Sequence, residues 1–251
     1  MINLHGQTIL VTGASRGIGA AAASVLLAAG ANVVGSYARA PGKLTALQAE
    51  YGTERLHIVQ SDLGTKGSAA TLWEAAEGFK GRIHGLVNNA GVMPETPITA
   101  SDDIWADDWA HVMAVNVQAV ADLCRAAILH FKEVQGGRIV TISSRAAFRG
   151  DGADFMHYAA SKGAVVSLMR SIARAYAGEG IYGFTIAPGW VKTDMAAVAY
   201  EPGNEGMLKE IPMGDAAPPE NIANMIAFLL SGLIDHATGG TFDINGASYV
   251  H

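Results

Sequence analysis

Tyr158 precedes Lys162 by four residues in HYAASKGAVVSLMRSIARAYA, a segment whose apolar positions recur every three to four residues. That period predicts a helix, so the phenol and the ammonium leave one face and open on a common cleft. A phenol can give its proton to an oxygen that is gaining negative charge, and a neighbouring cation lowers the cost of losing it. Run backwards, the phenolate acts as a base. Ser143 and Ser144 end the apolar run GRIVTISS, where a hydroxyl can orient the reacting oxygen and stabilise the charge that develops on it. Spacing alone leaves a one-residue ambiguity between the two serines. A Tyr four residues before a Lys is also common on structural or solvated helices, so this pair needs a companion site before it means chemistry.

The companion lies near the N-terminus, where TGASRGIG sets Gly13, Gly17 and Gly19 between the apolar run ILVT and a helix-like stretch of small and aliphatic residues. Glycines permit a tight turn and close backbone approach, and the free N–H groups at the helix start can face a pyrophosphate. Ser15, Arg16 and Ile18 sit inside this turn and share the expected dinucleotide site. The next strand, ANVVGSY, runs into Ala38 and Arg39, where a carboxylate for an adenosine ribose would otherwise stand. Arg39 and Arg16 offer two cations to a ribose phosphate, favouring NADP(H) over NAD(H), although either is also readable as an ordinary solvated side chain. Asp62 can accept from the adenine amine with Leu63 over the ring, or else cap a helix beginning near Thr65. Asn88 to Gly91 end another strand, so Asn89, Ala90 and Gly91 either line the cofactor or form an Asn-rich turn. Pro188 and Gly189 end a later strand where the chain can approach the nicotinamide, with Val191 and Thr193 next to them. Thr193 is equally readable as a helix cap.

These sites require a scaffold that gathers strand ends. Seven apolar runs, ILVT, ANVVGSY, LHIVQSD, IHGLVNNAG, GRIVTISS, IYGFTIAPG and GGTFDING, alternate with helical patterns along the chain. That alternation predicts an α/β fold, a single doubly wound Rossmann domain over residues 1–251 with a mostly parallel seven-stranded sheet. One long helix is expected from about Asp103 to Lys132, with its continuity open around Asn116. From Trp190 to Pro218 the apolar rhythm lapses, and residues 190–218 read as a mobile substrate lid within the same domain.

TGASRGIG, NNAG, the paired serines ahead of YAASK, and PGWVKTDM occur in the order of the short-chain dehydrogenase/reductase family, which the sequence resembles over essentially its whole length. Within that family it looks most like the NADP-using 3-oxoacyl-carrier-protein reductases and the sugar or polyol dehydrogenases. The resemblance implies hydride transfer between the cofactor and a small-molecule ketone, aldehyde or alcohol, with Ser144 rather than Ser143 as the substrate hydroxyl partner. It implies that Lys162 binds the nicotinamide ribose and that Asn116 holds a proton-relay water. From sequence alone, Asn116 is also readable as repairing a distorted helix. The family commonly forms tetramers, so a homo-oligomer is implied, whereas core burial explains the same apolar faces without a partner. An inactive nucleotide-binding scaffold, and an epimerase or dehydratase, are the competing readings.

The composition narrows the rest. Of 251 residues half are hydrophobic and 16% are charged, which describes a compact chain. Seventeen basic residues against 23 acidic ones give a net charge of -6, with no basic block suited to nucleic acid. No signal peptide and no convincing membrane span is read, and Cys124 stands alone, so a cytoplasmic setting is expected. His111, His130 and His157 lack metal spacing and are expected to be structural or at the surface, and the chemistry calls for no catalytic metal. Met93, Pro94, Ala146, Phe148, Phe155, Trp190, Met195 and Tyr200 are candidate pocket residues. Ala247 stands where many members of the family have a second glycine at the end of the last strand, so a slightly different terminal turn or subunit contact is expected.

Overall fold

The computed structural model describes residues 2–194, 196, 200, 201 and 205–250. Seven strands form one sheet in the order β3-β2-β1-β4-β5-β6-β7. They are β1 (Thr8–Val11), β2 (Asn32–Tyr37), β3 (Leu56–Gln60), β4 (Gly85–Asn88), β5 (Gly137–Ile142), β6 (Ile181–Pro188) and β7 (Thr241–Ile244). Every pairing is parallel, so the expected mostly parallel sheet is wholly so. Parallel neighbours need crossovers, and helices supply them on both faces.

Strand residues alternate between two cores, as a period of two demands. Ile9, Val11, Val33, Val87 and Val140 join Leu26, Ile222 and Ile226, which lie on α1 (Gly17–Ala28) and on the late helix Pro219–Leu230. Leu10, Val34, Leu86 and Ile139 face the other way, onto Leu72 and Trp73 of the helix Ser68–Lys80, Leu123 and Phe131 of Ala119–Glu133, and Met169 of Met156–Tyr176. In chain order the remaining helices are α2 (Lys43–Tyr51), α3 (Ser68–Lys80), α4 (Asp102–Met113), α5 (Ala119–Glu133), α6 (Ala146–Arg149), α7 (Met156–Tyr176), α8 (Glu205–Lys209) and α9 (Pro219–Leu230).

Several expected boundaries move. β2 stops at Tyr37, two residues before Arg39, and α3 starts at Ser68 behind Gly67, so Asp62 does not cap it. The expected long helix is continuous but passes through one π turn, Ala114–Gln118, centred on Asn116. The run Asp102–Glu133 is long and apolar enough to cross a membrane by length and hydropathy alone. Val112, Leu123, Ala127 and Phe131 on it are buried in the protein's own interior. In the 190–218 segment, Val191 bridges Ala217, which ties the two ends together, and α8 lies between them. Met195, Pro202 and Gly203 fall outside the described residues.

The strand order reverses between β1 and β4. Loops leaving those two strands diverge there, and a crevice opens beyond their C-terminal ends.

Candidate active site

The first wall of the crevice is the glycine turn. Gly13 and Gly17 take φ of +64° and +54°, the left-handed region that side chains avoid. Arg16 stands at the N-cap of α1 with no side-chain cap bond, so the first-turn amides of that helix remain available to an anion. A Cβ on Gly13 would come to 3.0 Å from the Ala90 Cα, so the turns after β1 and β4 pack this closely only because the residue is glycine. These features fit a pyrophosphate.

Thr12 and Asn89 lock the β1 and β4 ends together. The Thr12 hydroxyl accepts from the amides of Asn89 and Ala90, both at 3.0 Å, and the Asn89 amide donates to the Thr12 and Gly13 carbonyls at 2.9 and 3.1 Å. Asn89 and Ala90 thus sit beside the glycine turn, as the sequence suggested, through a partner, Thr12, that no motif flagged. Asn88 turns inward to Cys124 and Thr141 and belongs to the core.

Arg39 and Asp62 are exposed, and among the described residues Arg39 makes no ion pair. Asp62 accepts from the Gly64 amide at 3.0 Å, shaping the loop in which Leu63 is buried. Arg16 pairs with Asp194 at 3.1 Å, a residue the sequence reading passed over although it follows Thr193 in PGWVKTDM. Thr193 packs against Gly17, and its hydroxyl donates to the Val191 carbonyl at 3.3 Å. At the end of β6 the Gly189 amide donates to Ile244, and the Pro188 carbonyl accepts from Arg145 at 2.9 Å. The glycine turn, the Asn89–Gly91 loop and the 188–193 segment therefore border one crevice. Arg39 and Asp62 stand at the ends of its β2 and β3 side.

On the opposite part of the crevice the two adjacent serines take different partners. Ser143 is buried and donates to the Lys162 carbonyl at 2.9 Å, fastening β5 to α7. Ser144 turns the other way, with its hydroxyl within reach of the Tyr158 phenol. Its oxygen also accepts from the Ala146 amide at 3.1 Å. Lys162 is 5% exposed, donates to the Ile142 carbonyl at 2.9 Å, and lies 5.6 Å from the Tyr158 ring centre. Burial pushes the Lys162 ammonium down to about 8. It also pushes the Tyr158 phenol up to about 12, against the lowering effect of the Ser144 hydroxyl. With the ammonium held by Ile142, the phenol keeps its proton.

The Asn116 side chain bonds to the loop after β4 and to α7 and, among the described residues, not back onto the backbone of its own helix. The side chain is buried and exchanges two 2.9 Å bonds with the Val92 backbone, and it donates to Ser161 at 3.0 Å. It therefore ties the loop after β4 to α7, while the π turn interrupts the regular backbone ladder at the same residue. A Cβ on Gly91 would lie 3.4 Å from both Asn116 Oδ1 and Lys162 Nζ, so all three groups meet at one point.

The histidines separate. His130 is buried, accepts from the Ile83 amide at 3.0 Å and pairs with Glu77 at 3.2 Å; His111 is exposed. His157 is buried, with its ring against Thr96 and Trp109. Among the described residues, no group of three or more His, Cys, Asp or Glu is arranged to hold a metal. Of the candidate pocket residues, Ala146 is buried, Phe148 stacks on Tyr249 at 6.3 Å, and the Tyr200 hydroxyl donates to Asp215 at 2.8 Å. Two arginines following Ser144, Arg145 and Arg149, reach the Glu210 carboxylate at 3.3 Å, linking the catalytic loop to the far end of the 190–218 segment.

A family model described as enoyl-(acyl carrier protein) reductase matches residues 13–246. The chain is 32% identical over 249 residues to the 3-oxoacyl-(acyl-carrier-protein) reductase FabG of Escherichia coli strain K12, covering 99% of this chain and 100% of that protein. It is similar to the crystal structure of a 3-oxoacyl (acyl-carrier-protein) reductase from Agrobacterium tumefaciens C58 with NADP bound, at a TM-score of 0.88 and 32% identity, covering 98% of this chain and 95% of that one. A structure from Brucella melitensis described as a short-chain dehydrogenase/reductase, glucose/ribitol dehydrogenase, gives a TM-score of 0.90 at 31% identity, covering 100% of this chain and 99% of the other.

Proposed function

The chain belongs to the short-chain dehydrogenase/reductase family, and from that premise we propose that Ser144, Tyr158, Lys162 and Asn116 are the reacting centre of its oxidoreductase activity. It is an NADP-dependent enzyme that interconverts a ketone or aldehyde with its alcohol. When bound, the dinucleotide supplies the hydride. The chain's own groups handle the oxygen. Ser144 donates to the carbonyl oxygen and holds it against the Tyr158 hydroxyl. Tyr158 gives up its proton as negative charge grows there, and the nearby Lys162 ammonium lowers the energy of the phenolate left behind. Asn116 and Lys162 meet where a water can return the proton.

The observation that carries this reading is the division of labour between adjacent serines. Ser144 reaches toward the phenol, whereas Ser143 gives its hydrogen to the Lys162 carbonyl. A scaffold protein without turnover has no use for a phenol, a hydroxyl and an uncompensated buried ammonium converging on a crevice.

Gly13, Ser15, Arg16, Gly17, Ile18 and Gly19 would hold the pyrophosphate side of the cofactor, with Asp62 and Leu63 at the adenine and Asn89, Ala90 and Gly91 along its middle. Lys162, Tyr158, Pro188, Gly189, Val191 and Thr193 would hold the nicotinamide side. NADP(H) is preferred over NAD(H) because Arg16 and Arg39 are both exposed cations at the edge where a ribose phosphate would lie, with no carboxylate after β2 to favour a free hydroxyl. Residues 190–218 act as the substrate lid. We further propose a cytoplasmic homotetramer, a reading supported by resemblance to the family.

The test is a panel of carbonyls and alcohols followed with NADPH and NADH in parallel, on the wild type, Tyr158→Phe and Arg39→Ala. Turnover should fall by about 100-fold or more in Tyr158→Phe with NADPH affinity retained. Arg39→Ala should weaken NADP(H) more than NAD(H). Wild-type turnover in the first variant, or equal losses for both cofactors in the second, removes the corresponding assignment.

A further inference from the structure

His157 has no part in the chemistry above, yet it is 1% exposed and immediately precedes the phenol-bearing residue. The helix they share starts without an ordinary cap. Phe155 occupies the N-cap of α7 and no side chain there accepts a bond, although the first-turn amides of a helix have no partner in its own ladder. One of those amides, that of Tyr158, donates instead to His157 Nδ1 at 2.7 Å.

An accepting Nδ1 decides the rest of the ring. A neutral imidazole that accepts at Nδ1 carries its hydrogen on Nε2. His157 Nε2 lies 2.8 Å from the Thr96 hydroxyl, and that hydroxyl spends its own hydrogen on Asp108 Oδ2 at 2.7 Å. Each hydrogen is therefore used once along a chain from the Tyr158 amide through His157 and Thr96 to Asp108. Thr96 is itself buried, and its amide donates to the Asp154 carbonyl at 3.0 Å, so the loop after β4 is fastened to the segment leading into α7. The Trp109 ring, 5.9 Å away, packs against the imidazole.

We propose that His157 is a positioning residue for Tyr158: the Asp108–Thr96–His157 chain fixes one imidazole tautomer, which holds the first turn of α7 and with it the direction of the phenol. The proposal rests on Tyr158 being the proton donor. A buried histidine that only packs would affect stability. One that aims the phenol affects turnover while leaving substrate and cofactor binding in place, because the hydroxyl must reach the reacting oxygen to within a fraction of an ångström.

Two substitutions separate these roles in the full-length protein. His157→Asn puts an amide oxygen where Nδ1 was and keeps an acceptor for the Tyr158 amide, whereas His157→Phe fills the ring's space and offers none. We expect His157→Phe to lose about 10- to 100-fold in kcat with KM and NADPH Kd nearly unchanged, and His157→Asn to stay within about 3-fold of wild type. Nitrogen-15 NMR of histidine-labelled wild-type protein should show a protonated Nε2 and a bare Nδ1 at residue 157. Should His157→Phe fail to fold, Thr96→Val takes its place: it keeps the ring, removes the Nε2 partner, and should lower kcat several-fold while an Nδ1-protonated population appears. Undiminished kcat in His157→Phe, equal losses in the Asn and Phe variants, or a wild-type ring protonated at Nδ1 would each overturn the proposal; so would an unaltered tautomer and turnover in Thr96→Val. The tautomer is read without substrate, so wild-type turnover in Tyr158→Phe would remove the assignment of the proton donor separately from the hydrogen-bond chain.

Discussion

Replacing Lys162 with methionine should make this protein more stable and nearly inactive. Burial lowers the Lys162 ammonium from 10.5 to about 8, and among the described residues no carboxylate pairs with it. At pH 7 the folded chain therefore carries a charge that the fold disfavours. At about 1.4 kcal/mol per unit, the shift corresponds to roughly 3 kcal/mol of lost stability. Methionine keeps a similar unbranched chain without the charge. Its cost is the 2.9 Å bond from the charged donor to the Ile142 carbonyl, worth about 2 kcal/mol, so the net gain is about 1 kcal/mol. The unfolded lysine keeps its proton up to its ordinary value of 10.5, while the folded one releases it near 8. Between those values the unfolded state binds more protons, so wild-type stability rises with pH and the advantage of Lys162→Met shrinks. Tyr158, whose phenol is raised in the fold, weakens both proteins alike above pH 10 and cancels in the difference. Urea unfolding of both proteins at pH 7 and pH 10, alongside kcat, measures all of this. A variant less stable than wild type at pH 7, or a stability difference that does not change between the two pH values, would refute the reasoning.

The serine pair should divide in the same way. Ser144→Ala should lose about 100-fold or more in kcat with little change in unfolding midpoint, while Ser143→Ala should keep most of its turnover and lose about 1 kcal/mol of stability with the bond to Lys162. Ala247 takes φ of +63°, a left-handed conformation that a Cβ strains. Ala247→Gly should therefore raise stability by about 0.5–1 kcal/mol, seen as a rise of roughly 1–4 °C in Tm; an unchanged or lower Tm would show that the terminal turn is not strained.

The elements of the fold were written locally. Strand alternation, the helical period and glycine turns each depend on a few neighbouring residues, which is why all seven strands, the TGASRGIG turn and the shared face of Tyr158 and Lys162 were legible before any contact was known. Boundaries shifted where a local signal competed with chain geometry, as at Gly67, which stops α3 from starting near Asp62.

What the sequence left undecided was where buried polar groups find partners. Ser143 and Ser144 are chemically identical neighbours, and only the approach of α7 to β5 consumes one and frees the other. Asn116 meets Val92 across 24 residues, His157 meets Thr96 across 61, and Arg16 meets Asp194 across 178. A local pattern cannot specify such pairs, because a hydrogen-bonding group looks the same in sequence whatever the folded chain brings to it. Tertiary structure also decided the energy of the ammonium at Lys162, since burial is a property of everything packed around a residue and of nothing in the residue itself.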